Sequence, residues 1–130
     1  MAGLSNYAED LVLDWLFTAA SATRPTTWYV ALYTVAPGEG GGGTEVSGGS
    51  YVRTSVSFTV SGTAPTQAAN SAAVEFPTAT ASWGTVVAAA IYDASTSGNM
   101  LAFANLTTSK TIDSGDVLRF NTDTLVVTLD

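Results

Sequence analysis

The chain contains no cysteine and no histidine. Those two absences together remove thiol nucleophiles, disulfide bridges, thiolate metal sites and imidazole general bases. The fold must be held by packing and hydrogen bonds alone. Basic residues are nearly as scarce. Arg24, Arg53, Lys110 and Arg119 stand against 11 acidic residues, for a formal net charge of −7. Four isolated cations cannot build a surface that tracks phosphates, which argues against nucleic acid and anionic membranes as partners. Charged residues make up only 12% of the chain, about half the usual ~25%. No apolar run is long enough to span a bilayer, because the stretch at 11–20 is short and carries Asp14. Residues 1–10 show no basic n-region and close on Glu9 and Asp10. No secretory signal is therefore expected, and synthesis in a cytoplasm is.

What is present is small and apolar. Of the 130 residues, 46% are hydrophobic, enough for one core and inconsistent with a disordered chain. Ala, Thr, Ser, Gly and Val dominate, a composition suited to strands and tight turns. The one helical pattern lies at the start, where Asn6 and Glu9 read as a capping box with Ser5 as the alternative cap. Leu11, Val12, Leu13, Trp15, Leu16 and Phe17 follow and spread over much of the circumference, so this helix should be covered on more than one side, either by its own domain or by a neighbouring subunit. Trp15 and Trp28 sit in apolar patterns that read as core.

The rest reads as β-structure. Residues 27–34 form an expected strand with Trp28, Val30 and Leu32 on one face and Tyr29, Ala31 and Tyr33 on the other; with both faces apolar it should be central or at an interface. Residues 36–50, which hold seven of the twelve glycines, read as a long flexible loop. Residues 51–60 alternate, with Val52, Thr54, Val56, Phe58 and Val60 expected inward and Tyr51, Arg53, Ser55, Ser57 and Thr59 outward. Residues 61–65 read as a turn. Further strands are expected at 72–76, 85–92, 100–106, 117–120 and 124–129, with turns at 93–99 and 113–116. Strands at this regular spacing after one short α-helix imply a single mainly β domain over 1–130, an antiparallel β-sandwich or jelly roll.

Candidate chemistry is thin. The glycine-rich loop lacks the Lys-Ser/Thr ending of a phosphate-binding loop and opens no helix. Residues 93–98 mimic the start of a calcium loop, but Ala104 stands where the bidentate Glu belongs. Asp113 and Asp116 could in principle form a carboxylate pair, yet they flank Gly115 in a turn, where Asp serves local hydrogen bonding. No Gly-x-Ser-x-Gly elbow occurs. A Ser109–Lys110 dyad would use the only lysine, in an expected loop. Asn105-Leu106-Thr107 matches a glycosylation sequon, which matters only in a secreted eukaryotic protein. Trp83, at the entry to a strand, fits a subunit interface or a sugar-stacking surface. The expected chain is thus not an enzyme and needs no cofactor and no metal.

Several stretches occur in a telling order. Residues 4–7 open the helix, and Trp28 to Thr34 reads Trp-Tyr-Val-Ala-Leu-Tyr-Thr. Residues 45–53 follow (Glu-Val-Ser-Gly-Gly-Ser-Tyr-Val-Arg), then 70–86 (Asn-Ser-Ala-Ala-Val-Glu-Phe-Pro-Thr-Ala-Thr-Ala-Ser-Trp-Gly-Thr-Val). Ile-Tyr-Asp-Ala at 91–94, Gly-Asn-Met-Leu at 98–101, Leu-Thr-Thr-Ser-Lys-Thr at 106–111 and Ser-Gly-Asp at 114–116 complete the set. Together they resemble a family of small virion structural proteins of tailed phages, labelled as tail-fibre-like proteins or as capsid cement (decoration) proteins. The strand up to Tyr92 is richer in alanine than that pattern leads one to expect.

The resemblance implies a cement protein of the outer capsid surface. It would bind the major capsid protein and itself, as a homotrimer, after synthesis in the bacterial host cytoplasm. A tail-fibre or tail-tip protein that contacts the host is the alternative. The expected partner contacts are Leu4, Tyr7, Leu11 and Trp15 in the N-terminal arm and helix (1–20), Glu45, Val46 and Tyr51 in and after the glycine-rich loop, and Trp83.

Overall fold

The computed structural model describes residues 3–63 and 65–129. Ala64, part of the expected turn at 61–65, and the first two residues of the expected arm lie outside them. The order is β1 (Gly3–Leu4), α1 (Asn6–Phe17), β2 (Tyr29–Val35), β3 (Thr44–Glu45), β4 (Thr54–Ser55), β5 (Phe58–Ser61), β6 (Thr66–Asn70), β7 (Val74–Glu75), β8 (Gly84–Tyr92), β9 (Met100–Ile112), β10 (Arg119–Phe120) and β11 (Val126–Leu129). The protein is mainly β, with antiparallel pairing in every sheet and a single short N-terminal helix. It forms an open, sandwich-like arrangement.

The largest sheet runs β1-β9-β8-β2-β3, with β4 sharing the β2 edge. Val30 pairs with Ile91 and Leu32 with Ala89, while Ala31 pairs with Ala90 and Tyr33 with Ala88. Period two therefore sorts these residues onto two faces. Val30, Leu32, Val86, Ala89 and Ile91 join the main core with Val74, Phe76, Trp83 and Leu118. Ala31, Tyr33, Ala88, Ala90 and Met100 form a second buried cluster on the other face. The alanines of β8 thus allow close packing on both sides of a central strand. Smaller sheets, β11-β6-β5 and β10-β7, cover the main core.

Several expectations need correction. Residues 36–50 are not simply a flexible loop: Gly38 and Gly41 exchange backbone hydrogen bonds at 2.9 and 3.0 Å, β3 pairs with β2, and Val46 is buried. The alternating run 51–60 is not one strand. Its first half pairs with β2 and its second with β6, so the chain crosses between sheets at buried Val56, whose N–H donates to the Trp28 carbonyl at 3.0 Å. The crossing breaks the alternation. Val52 and Val60 are exposed, whereas Tyr51 packs against the main core. β6 has no counterpart among the expected strands, since Thr-Gln-Ala-Ala-Asn carries no strand-like pattern. It is held as the middle strand of its sheet, and buried Asn70 anchors it. The Asn70 amide donates to the carbonyls of Ala72 (2.8 Å) and Asn121 (2.9 Å) and accepts from the Leu125 N–H at 2.9 Å. β9 runs well past the expected end at 106.

One irregularity shapes the surface. Val86 pairs with Lys110 but Ala88 with Asn105. Four residues of β9, 106–109, therefore stand opposite Val87 alone, three more than a regular ladder holds, and the strand bulges and bends there.

Candidate partner interface

The start of α1 is fixed firmly. Ser5, not Asn6, is the N-cap: its hydroxyl accepts from the Ala8 N–H at 3.2 Å and donates to the Met100 carbonyl. Its own N–H donates to the Leu101 carbonyl and that of Asn6 to the Glu39 carbonyl, both at 3.0 Å. A cap is normally local; here it also ties the helix to β9 and to the glycine-rich segment.

Beyond this anchor the helix loses contact with the body. Ala8 is buried and Leu11 and Val12 are half-buried. In the second half Leu13 is 57%, Trp15 72%, Leu16 56% and Phe17 77% exposed. At 100° per residue these four point in widely different directions, and Trp15 lies on nearly the same side as buried Ala8. Exposure on all sides means that the end of α1 overhangs the body. The expectation that Trp15 belongs to the core is corrected. Four large apolar side chains thus stand close together in water at the end of one helix, which sets them apart from singly scattered exposure. The helix carries Glu9, Asp10 and Asp14 and no cation.

The second half of β9 borders a cleft of about 580 Å³ facing β10, β11 and the segment between them. Phe58, Leu106, Phe120, Leu125 and Val127 line it, with Lys110 and Arg119 among its polar residues. Arg119 Nη1 lies 3.5 Å from Glu75 Oε1, both side chains being more than half exposed. No residue of α1 lines this cleft. Leu106, Thr107 and Thr108 of the bulge belong to its wall.

The expected loop contacts have a different setting. Glu45 is half-buried and forms a salt bridge with Arg53. The Tyr51 hydroxyl donates to Glu45 Oε2 at 2.7 Å and accepts from the Leu32 N–H at 3.0 Å. The Val46 N–H in turn takes the Leu32 carbonyl at 2.9 Å. β3 and β4 leave a gap along the β2 edge, and Tyr51 and Val46 satisfy the backbone groups exposed there. Burial pushes the Tyr51 phenol well above its ordinary pKa, with Glu45 adding to the rise. Tyr33 is likewise raised by burial and by its hydrogen bond with the Tyr92 hydroxyl. Burial alone would raise the Glu45 carboxyl, but the Arg53 and Tyr51 hydrogen bonds and the guanidinium charge outweigh it and hold the carboxyl below the ordinary range.

Of the eight expected contact residues, Tyr7 and Trp15 are exposed, and Leu4 and Leu11 are half-buried. Leu4 pairs with Ala102 and packs on the main core. Val46 is buried, and Tyr51 and Glu45 belong to the network at the β2 edge. Trp83 is 4% exposed, stacks edge-on against Tyr51 and Phe76, and donates from Nε1 to the Gly49 carbonyl at 2.9 Å. It therefore presents no sugar-stacking face. The cleft residues escaped sequence reading because they come from β5, β9 and the C-terminal segment; no local pattern joins them. The turn residues do local work: Asp93 accepts from the Asn99 backbone and side chain at 2.7 and 3.0 Å, and Asp116 accepts from the Asp113 N–H at 2.9 Å. Among the described residues no group of three His, Cys, Asp or Glu side chains is placed to share a metal ion. None of the described helices is long and apolar enough to cross a membrane.

A family model described as podophage GP4 fiber I protein gp80 matches residues 3–128. No curated protein matches the chain.

Proposed function

The chain belongs to the podophage GP4 fiber I protein gp80 family, a family of phage virion structural proteins, and from that premise we propose that it is a building subunit of a fibre. It works by protein–protein contact and carries out no reaction. The observation that carries this reading is the overhanging end of α1. Its Leu13, Trp15, Leu16 and Phe17 form an apolar surface held out from a firmly capped base. Such a surface is costly to leave in water and is well placed to be covered in an assembly.

The capsid-cement role is the competing placement on the same virion. The fibre description of the family supports the tail over the head. Both readings need a folded module with strong contacts and no chemistry, so particle stoichiometry discriminates between them. Quantitative mass spectrometry of purified virions, with immunogold labelling, is the test. A copy number far below that of the major capsid protein, with label at the tail, is expected. A copy number comparable to the major capsid protein, with label over the head, would overturn the fibre reading and restore the cement one.

A further inference from the structure

The end of α1 and the cleft beside β9 are complementary surfaces on one chain. The first is convex, apolar and negatively charged: Leu13, Trp15, Leu16 and Phe17 are exposed around Asp14, and Glu9 and Asp10 stand further back toward the capped base. The second is concave and apolar, and its lining holds Lys110 and Arg119 and no carboxylate. It thus holds two of the four cations of the whole chain. Its volume, about 580 Å³, lies within the ~300–1,000 Å³ typical of sites that enclose a compact apolar group.

We propose that the α1 end of one copy seats in the β9 cleft of a second copy. The inference rests on reading α1 as a contact surface and names what covers it. Charge decides the geometry. Tip against tip would bring the two copies of Asp14 together, and cleft against cleft would oppose Lys110, and Arg119 with its Glu75 partner, to themselves. Only tip against cleft joins unlike charge, and like-charge juxtaposition is an effective bar to the alternatives. The contact is therefore heterologous, using two different patches, and it propagates head to tail until a ring closes or a filament grows. Trp15 and Phe17 are the anchors, since large aromatics in a desolvated pocket dominate such contacts.

Sedimentation velocity of the purified protein tests this without any phage particle. The wild-type chain should assemble, and more weakly as salt is raised. The double variant Trp15→Ala, Phe17→Ala should associate on the order of a hundredfold more weakly. Ala104→Trp, which fills the cleft, should be monomeric as well; Lys110→Glu, at an exposed position, serves if that variant fails to fold by circular dichroism. The decisive experiment mixes the tip variant with the cleft variant. Each retains the half that the other lacks, so the mixture should form a dimer and stop there. A monomeric wild type at the highest soluble concentration, unchanged assembly of the tip variant, or folded variants that do not form a dimer on mixing would each overturn the proposal. Failure here leaves the fibre placement to the particle measurement, and failure there leaves this contact standing.

Discussion

Arg53 and Glu45 meet as a fork on a fork: Arg53 Nε donates to Glu45 Oε2 and Nη2 to Oε1, each at 2.9 Å. The same guanidinium donates from Nη1 to the carbonyls of Ala94 (3.1 Å) and Ser97 (2.7 Å) and lies 3.7 Å from the centre of the Tyr92 ring. One side chain thus fastens the glycine-rich segment, through β3, to the hairpin between β8 and β9. The Arg53 side chain is 8% exposed and that of Glu45 26%, so water screens the pair only partly. Arg53→Ala should destabilise the fold by about 2–4 kcal/mol, because it strands a half-buried carboxylate and two carbonyls. Lysine cannot reproduce the bidentate geometry and should recover only part of the loss. Urea denaturation of the two variants measures both values.

The pair also makes stability depend on acid. The folded-state pKa of Glu45 lies below its unfolded value of 4.5. The folded state therefore binds fewer protons than the unfolded state in that window. The stability that this carboxylate contributes is complete above the unfolded value and is lost as pH falls through the folded one. The melting temperature should drop on acidification below about pH 4.5, and Glu45→Gln should reduce the slope of that drop. An equal slope in the variant would assign the acid sensitivity to other carboxylates.

The two raised phenols act at the other end of the scale. Tyr33 and Tyr51 stay protonated above the ordinary value of 10.0 in the folded protein. The stability linked to them is fully present below that value and is lost as pH rises through the folded values. Ultraviolet titration of the native protein should show phenols that resist ionisation until the chain unfolds. Tyr51→Phe should remove part of that resistant fraction. It should also cost about 1–3 kcal/mol, since the Leu32 N–H loses its acceptor.

Gly49 and Trp83 form a tight contact. Gly49 has φ +58°, and a Cβ built there would meet Trp83 Nε1 and the Ala81 carbonyl at 2.8 Å. Gly49→Ala should cost about 1–3 kcal/mol through strain and displacement of the indole. Trp83→Phe should cost about 1–2 kcal/mol by removing the hydrogen bond to Gly49. The pair should be strongly non-additive, which a double-mutant cycle by denaturation reads directly.

Trp15→Ser should behave in the opposite way. The side chain touches little of its own body, so the change should leave stability within about 0.5 kcal/mol. It should nevertheless reduce incorporation of the protein into particles, read by immunoblot of purified virions. A large loss of stability with normal incorporation would remove α1 from the interface.

Much of this architecture was legible in the sequence. The capped helix, the two-faced strand at β2, the β8–β9 hairpin and the Asp-rich turns follow from local rules: periodicity, caps and turn chemistry act over a few residues. The same rules failed where partners lie far apart in the chain. Trp15 stands in an apolar helical run and Trp83 among small, polar residues at a strand entry, yet the first overhangs into water and the second is sealed by Tyr51, Phe76 and Gly49. The alternation at 51–60 gave no sign that the chain would change sheets at Val56, nor that Tyr51 would satisfy Leu32. The Arg53–Glu45 pair is close in sequence, but its burial depends on the hairpin at 93–99. The cleft exists only because β9 bulges and the C-terminal strands pack opposite it. Composition determined that this chain would be cysteine-free and acidic, because those properties are sums over residues. Which apolar side chains are covered was decided by tertiary structure alone, because burial depends on long-range packing that no local pattern encodes.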